Sequence, residues 1–542
     1  MKFRNSLDFI NEFFLNFSHQ IRKIYLSSNI YDKKISKVNQ KSLSYRPSLN
    51  ILSCLVKYEK KKNKIEDFEI EDVWENNKLE YKEVKKLNNF FWLFSIDLKS
   101  SKKISSSILD NWIKKNQKYS KNTWEIDTLS KRIISWISNS KLIYDEADHT
   151  YKKNFNKIIF KQINHLLNEI NRSDNYNDKL IGCTAVILVG LSYNDEKFLD
   201  YGLNLLKKII NTSFDNEYFP KSRNIRQLTF YLKYFILIRE LLKDSSSSIP
   251  DYLDEIIFHL GKAYDFVWGS SKQSLLFNGN HESDFSDFDK YLSQQKYSFK
   301  NIKNELGGYG ILKNKNLIVV MDMGSNPDSK FSEYYQGGPQ SIEIIYKGKK
   351  LICNSGYFQD THNKLNLISR SSAAHSTLII DNSSVTNFSK KKDGKILNKS
   401  NFKSFSKNIV FEKNYWLLKC SHDGFAKKYG IIHERSLEFY PEKDKFIGID
   451  KIIKNKDFKA TNFEIRFHLM PNSKVTKTQD SKTLLIELEN SGWKFYSDSG
   501  PIDVETGLYF GKKNSFIENQ NIYISGQTQN KDQEIRWEIT KI

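Results

Sequence analysis

Near residue 300 the spacing of apolar residues changes from every third or fourth position to every second, so one chain must build two architectures. Upstream, helical spacing runs over 1–26 (Leu7, Ile10, Phe13, Phe14, Phe17, Ile21, Ile24) and over Ile104–Ile113, Ile126–Ile143 and Phe155–Ile170. It continues over Lys179–Ser192, Glu196–Ile210, Ile225–Leu242 and Tyr252–Val267, while residues 27–73 are polar and mixed. Short polar links such as Asn171–Asn175 and Lys243–Ser248 join these stretches. Amphipathic helices so joined form antiparallel hairpins, packed as a bundle or curved into a toroid. Downstream of Tyr309 the period is two, in short runs such as Leu317–Met321, Tyr415–Cys420, Phe446–Ile452 and Ile535–Ile539. Many short antiparallel strands are most economically a sandwich. The expected fold is α+β multidomain: a helical domain over 1–300 and an antiparallel β-sandwich over 305–542.

The densest pattern lies between Tyr334 and Asp381. Ser341–Tyr346 and Lys350–Asn354 alternate about the turn Lys347-Gly348-Lys349, which predicts a hairpin with one buried face. A third run, Ser376–Asp381, follows, with His375 at its mouth. Arg370, His375 and Asp381 therefore stand where strands end, the usual place for a site on a rigid sheet.

A chain of 542 residues exceeds one ordinary core, and 14% aromatics support packed interiors rather than disorder. The net charge of +21 comes from dispersed Lys, not from a basic stripe interleaved with aromatics, so nucleic acid is not the expected partner. Cys54, Cys183, Cys353 and Cys420 follow no metal or disulfide spacing, and buried thiols are expected. No cleavable export signal is visible, and the apolar run Ile181–Leu191 is too short to span a bilayer. His281, Glu282, Asp284 and Asp287 lack EF-hand spacing and read as a solvated acidic link. Trp124 and Trp136 have the spacing of core residues.

Four segments in order, GPQSIEI…KKLICNSG, RSSAAHSTLIID, SHDGF…GIIHERSLEF and EIRFHLMP, resemble the heparinase II/III family of bacterial polysaccharide lyases. The likeness is specific over roughly 305–470 and extends to YNDKLIGCTAVILVGL, SRNIRQLTFYL and LFNGNHE upstream. It implies an N-terminal (α/α) toroid-like helical domain, a C-terminal β-sandwich and β-elimination on a uronic-acid-containing polysaccharide. Such chemistry removes the proton α to a uronate carboxylate and expels the glycosidic oxygen at the β position. It needs a group that neutralises the carboxylate, a base, and an acid for the leaving oxygen.

Carried over residue by residue, the resemblance assigns Asn177 to the neutralising position, with Tyr176 and Asp178 as altered neighbours. The family's base Tyr would fall near Ile225, where none stands; Tyr218 and Tyr231 are the nearby alternatives. Two family His positions read Tyr334 and Gln336, a zinc-binding Asp position reads Asn354, and the remaining His is His375. Asn177, Tyr334 and His375 are thus the candidate catalytic residues, with Arg370, Gln336 and Asn354 as candidate substrate contacts. Each has a plainer reading: a helix cap for Asn177, interface packing for Tyr334, a loop ion pair for Arg370. Two amides and one imidazole are a poor zinc set, so zinc is expected to be absent or weakly held and no other cofactor is implied. The expected partner is an acidic polysaccharide, in the cell envelope or periplasm by resemblance, with the cytoplasm as alternative. A catalytically impaired glycan-binding or polysaccharide-assembly protein on the same fold is the alternative function.

Overall fold

The computed structural model describes residues 17–18, 20–37, 41–56, 79–97, 99, 102–269, 271–391, 394–488 and 491–542. By packing, the chain divides into two units that interleave in sequence: 1–212 with 233–255, and 213–232 with 256–542. A cut at 300 separates helix from strand, whereas packing groups 213–232 and 256–300 with the sheets.

In the first unit the helical spacing yields Lys102–Lys115, His149–Glu169 and Tyr176–Ser192, together with all but the last residue of Glu196–Ser213. Of the helix expected over 1–26, residues 1–16 and 19 lie outside the described residues. Within the mixed stretch, Asn29–Ile35 is a helix capped by the Ser28 side chain. The run Ile126–Ile143 is not continuous: it breaks at Asn139 into Ile126–Ser138 and Ser140–Ile143. The Asn139 side chain donates to the Ser135 carbonyl at 2.8 Å, a local bond that competes with the helix ladder. Trp136 sits edge-on to Phe90 and Trp112, with centroids 5.1 and 5.3 Å away. The buried Arg132 guanidinium lies 4.2 Å from the Trp112 ring and donates to the carbonyls of Asn88 and Thr123. Trp124 and Trp136 are buried, as their spacing implied. Residues 180–192 are buried on every side, which fits a sequence apolar but for Thr184 and Ser192.

In the second unit, five antiparallel strands follow in chain order: β1 (Glu305–Leu306), β2 (Tyr309–Lys313), β3 (Leu317–Asp322), β4 (Ile342–Tyr346) and β5 (Lys349–Ile352). A four-stranded sheet takes β6 (Leu378–Ile380) as its edge beside Asn462–His468. An eight-stranded sheet centres on Ile431–Tyr440, Lys445–Lys454 and Gln533–Lys541. In Ile431–Tyr440 burial alternates strictly, so His433 and Arg435 share the inward face with Leu437 and Phe439. Asp450, opposite Arg435 in register, accepts from His433, from Arg435 and from the Trp537 indole. His433 Nδ1 lies 3.3 Å from His422 Nε2, and the Gly424 N–H donates to His422 Nδ1 at 3.1 Å. Phe467 packs between Trp537 and Phe495, at 4.7 and 4.9 Å.

The hairpin forms as β4 and β5 about Lys347 and Gly348, both in the left-handed region that favoured two-residue turns require. The expected single buried face is not what forms, because every residue of β4 is buried. Glu343 points to the face expected to be polar and pairs there with Lys350 at 2.9 Å. Its other oxygen accepts from the N–H groups of Leu276 and Asn354, while Lys350 donates to the Ser274 carbonyl at 2.6 Å. The segment 274–276 thus covers the second face. Among the described residues no helix is long and apolar enough to cross a membrane, and all four cysteines are free and buried.

Candidate functional site

Arg223 ties the SRNIRQ segment to the first sheet. Its guanidinium pairs with Asp322 at 2.5 Å and donates to the carbonyls of Gly307 and Gly308. The Tyr309 hydroxyl donates to the Arg223 carbonyl at 2.6 Å, and Asn278 bonds both Tyr309 and Asp322. The LFNGNHE segment is consequently anchored, and the expectation of a solvated link is wrong for its first half: Asn278, Asn280 and His281 are buried. Local sequence reads as polar there because its partners lie in the sheet. Glu282, Asp284 and Asp287 are exposed, as a solvated link would have them.

Gly279, with φ +82°, sits against Asn224 and Tyr334 so closely that a Cβ would lie 2.5 Å from Asn224 Nδ2 and 2.7 Å from Tyr334 Cβ. Tyr334 is edge-on to Tyr357, with centroids 6.2 Å apart. Burial pushes its phenol well above the ordinary tyrosine range, while Arg226 acts in the opposite sense. Arg226 is half-buried, its charge disfavoured by burial and favoured by Tyr334 and Tyr357. It makes no ion pair with a carboxylate among the described residues. His281 is held at about 4, first by burial and next by the Arg226 charge. The Arg226 charge therefore acts on His281 and on Tyr334, whose ring meets that of Tyr357, all within the second unit. Sequence reasoning passed over Arg226, His281 and Tyr357; the SRNIRQ and LFNGNHE segments were the available signal.

The other candidates are held differently. Arg370, fully buried, donates to Asn366 Oδ1, to the carbonyls of Tyr335 and Glu333, and to the Tyr357 hydroxyl. Gln336 accepts from the Gly279 N–H at 2.8 Å and donates to the carbonyls of Gly356 and Ser369 at 3.0 and 2.5 Å. Asn354 Oδ1 accepts from the Ser376 N–H at 2.9 Å, leaving its Nδ2 buried without a partner. His375 Nδ1 donates to the Ser371 carbonyl at 2.8 Å, so Nε2 carries the lone pair, buried and unpartnered. Burial holds this imidazole at about 4. Tyr218 stacks on His259 at 4.3 Å, and the buried Tyr231 packs edge-on to Phe214.

Zinc does not fit Gln336, Asn354 and His375. Neither amide is a usual zinc ligand and both amide oxygens already accept from backbone N–H groups, the atom free on Asn354 is an N–H donor, and His375 Nε2 is the one imidazole nitrogen the set offers. Among the described residues no group of three His, Cys, Asp or Glu could hold a metal ion.

Asn177 belongs to the first unit, where it is the second residue of the helix Tyr176–Ser192. The helix cap is Asn175, whose side chain accepts from the N–H groups of Asn177 and Asp178. Asp178 is raised to about 7, chiefly by burial and then by Asp127.

A helical region followed by antiparallel sheets is the architecture of polysaccharide lyases of the heparinase III kind. A crystal structure of heparinase III superposes with a TM-score of 0.68 at 13% identity, covering 94% of this chain and 88% of that one. Heparan sulfate lyase HepC from Pedobacter heparinus gives a TM-score of 0.62 at 14% identity, covering 85% and 75%. The expected fold, a helical toroid-like region and then a β-sandwich, therefore stands. Residues 302–538 match the family described as Heparinase II/III-like, C-terminal, so this part of the chain is a Heparinase II/III-like C-terminal domain. FtsZ-localized protein C of Caulobacter vibrioides (strain NA1000 / CB15N) is 21% identical over 449 residues, covering 80% of this chain and 77% of the relative.

Proposed function

We propose that the protein cleaves an acidic, uronate-bearing polysaccharide by β-elimination, with Arg226 as the carboxylate-binding group. What supports this reading is an Arg that, among the described residues, makes no ion pair with a carboxylate and whose charge acts on Tyr334 and His281 and is favoured by Tyr334 and Tyr357. Paired with a uronate carboxylate, the guanidinium offsets the charge that builds up as the α-carbon loses its proton. The neutral His281 imidazole takes that proton. The Tyr334 phenol, protonated at neutral pH, gives its own to the glycosidic oxygen as the C4–O bond breaks. The products are a free hydroxyl and a sugar with a C4–C5 double bond. In this reading Gln336, Arg370 and Asn354 support the loop ends, and Asn177 enters through the family resemblance. Purified protein mixed with a panel of uronate-containing glycans is expected to develop the ultraviolet absorbance of the unsaturated product. A flat trace across the panel sinks the lyase reading.

A second reading is a catalytically impaired glycan-binding or polysaccharide-assembly protein of the cell envelope. It is favoured by the burial that holds the Tyr334 phenol far above neutrality, which disfavours the phenolate, and by a relative named for FtsZ localisation rather than for a lyase activity. Binding of the same glycans without unsaturated product distinguishes it.

A further inference from the structure

Three segments meet at one neutral side chain. Gln336 joins Gly279 of the LFNGNHE loop, Gly356 beyond β5, and Ser369 in the helix Lys364–Arg370. Each segment delivers a neighbour of the candidate site: His281, Tyr357 and Arg370 respectively. The amide is 1% exposed, and all three of its bonds run to backbone groups that would be buried without partners if it were removed. The zinc set implied by the fold family fails at the same place. Gln336 and Asn354 turn their oxygens to backbone N–H groups, and His375 Nε2 is the one imidazole lone pair left to a metal.

We propose that Gln336 stands in the place of a metal ion: a hydrogen-bonded amide crosslinks the three segments, and the site's geometry is independent of zinc. Gln336 is a positioning residue in this account. Zinc, where His and Asp ligands exist, draws segments together through coordinate bonds and makes stability depend on metal supply. An amide with one acceptor and two donors, each answered by backbone, does so without an ion and without a net charge. The assignment does not depend on the proposed reaction, since it concerns what holds the loops.

The test uses untagged full-length protein purified without chelator. Elemental analysis is expected to find far less than one zinc per chain, with the same Tm in zinc and in chelator. Gln336→Leu is expected to lower Tm by about 5 °C with no dependence on zinc, since it orphans one N–H and two carbonyls. The double variant Gln336→His/Asn354→Asp is expected to become zinc-dependent, with a Tm higher in zinc than in chelator. Stoichiometric zinc in the unmodified protein, with a Tm that falls on chelation, overturns the proposal. So does a folded double variant whose Tm ignores zinc. The measurement on the unmodified protein needs no variant to fold.

Discussion

Arg435 Nε lies 2.7 Å from Asp450 Oδ1 across neighbouring strands, and both side chains are fully buried. Asp450 is held far below the ordinary carboxylate range by the Arg435 charge and by the hydrogen bond from His433, which together outweigh its burial. Asp450→Asn removes the only charge that compensates Arg435 in this pair. It should destabilise the protein by about 3–5 kcal/mol, read from urea unfolding monitored by tryptophan fluorescence.

Glu343 and Lys350 form another buried pair, and Glu343 also anchors the N–H groups of Leu276 and Asn354. Single replacements by Met should each cost about 3–5 kcal/mol, because each leaves an uncompensated buried charge. The double replacement should cost less than the sum, with a coupling energy on the order of 2 kcal/mol. Additive losses would show that the pair does not act as a unit.

Arg226→Ala separates site from scaffold. Half-buried and, among the described residues, without an ion pair to a carboxylate, Arg226 should on replacement leave stability within about 1 kcal/mol of the parent. Loss of charge stabilisation should lower kcat/KM on a uronate glycan by about 100-fold, with Arg226→Lys intermediate. Initial rates of unsaturated-product formation read the effect.

Much of this could be read from residue spacing, and the remainder follows a physical pattern. Helices such as His149–Glu169 and the hairpin of β4 and β5 are encoded in short-range periodicity, where local pattern and burial agree. Asn139 broke a helix because a side chain competed with the backbone, an event that apolar spacing does not register. Glu343 looked like the polar face of a half-exposed strand, since its partner segment lies some 70 residues upstream in sequence. Gln336 and Arg370 looked like substrate contacts for a similar reason: both Gln336 acceptors and two of those of Arg370 are backbone carbonyls, and every residue type has one. Arg226 was indistinguishable from a solvated arginine at the start of a helix until Tyr334 and His281 were placed beside it.

His281 and His375 both sit at about 4, below the ordinary imidazole value of 6.5. A depressed value means that the unfolded chain binds protons more readily than the folded one. Their contribution to stability is therefore complete above pH 6.5 and declines as the pH falls toward 4. For the fully buried His375 the loss amounts to about 3 kcal/mol at its limit. Tm measured from pH 7.5 to 4.5 should fall, and His375→Gln should flatten the slope if the variant folds.

Asp178 runs in the opposite sense. Raised to about 7, its carboxyl keeps a proton in the folded state that the unfolded chain releases near 4. The stability it contributes is complete below about pH 4 and is lost as the pH rises through 7. Asp178→Asn should remove that decline, and a carboxyl signal titrating near neutrality by NMR should vanish with it.

The bond from the Gly424 N–H to His422 fixes more than one ring. With that nitrogen accepting, His422 must carry its hydrogen on Nε2 and hand it to His433, which must then direct its own hydrogen to Asp450. Every hydrogen in the row points the same way. An extra one on either ring would set two donors head to head, at Gly424 or between the imidazoles. The interior of the large sheet therefore has no vacancy for acid, and it will admit a proton only by coming apart.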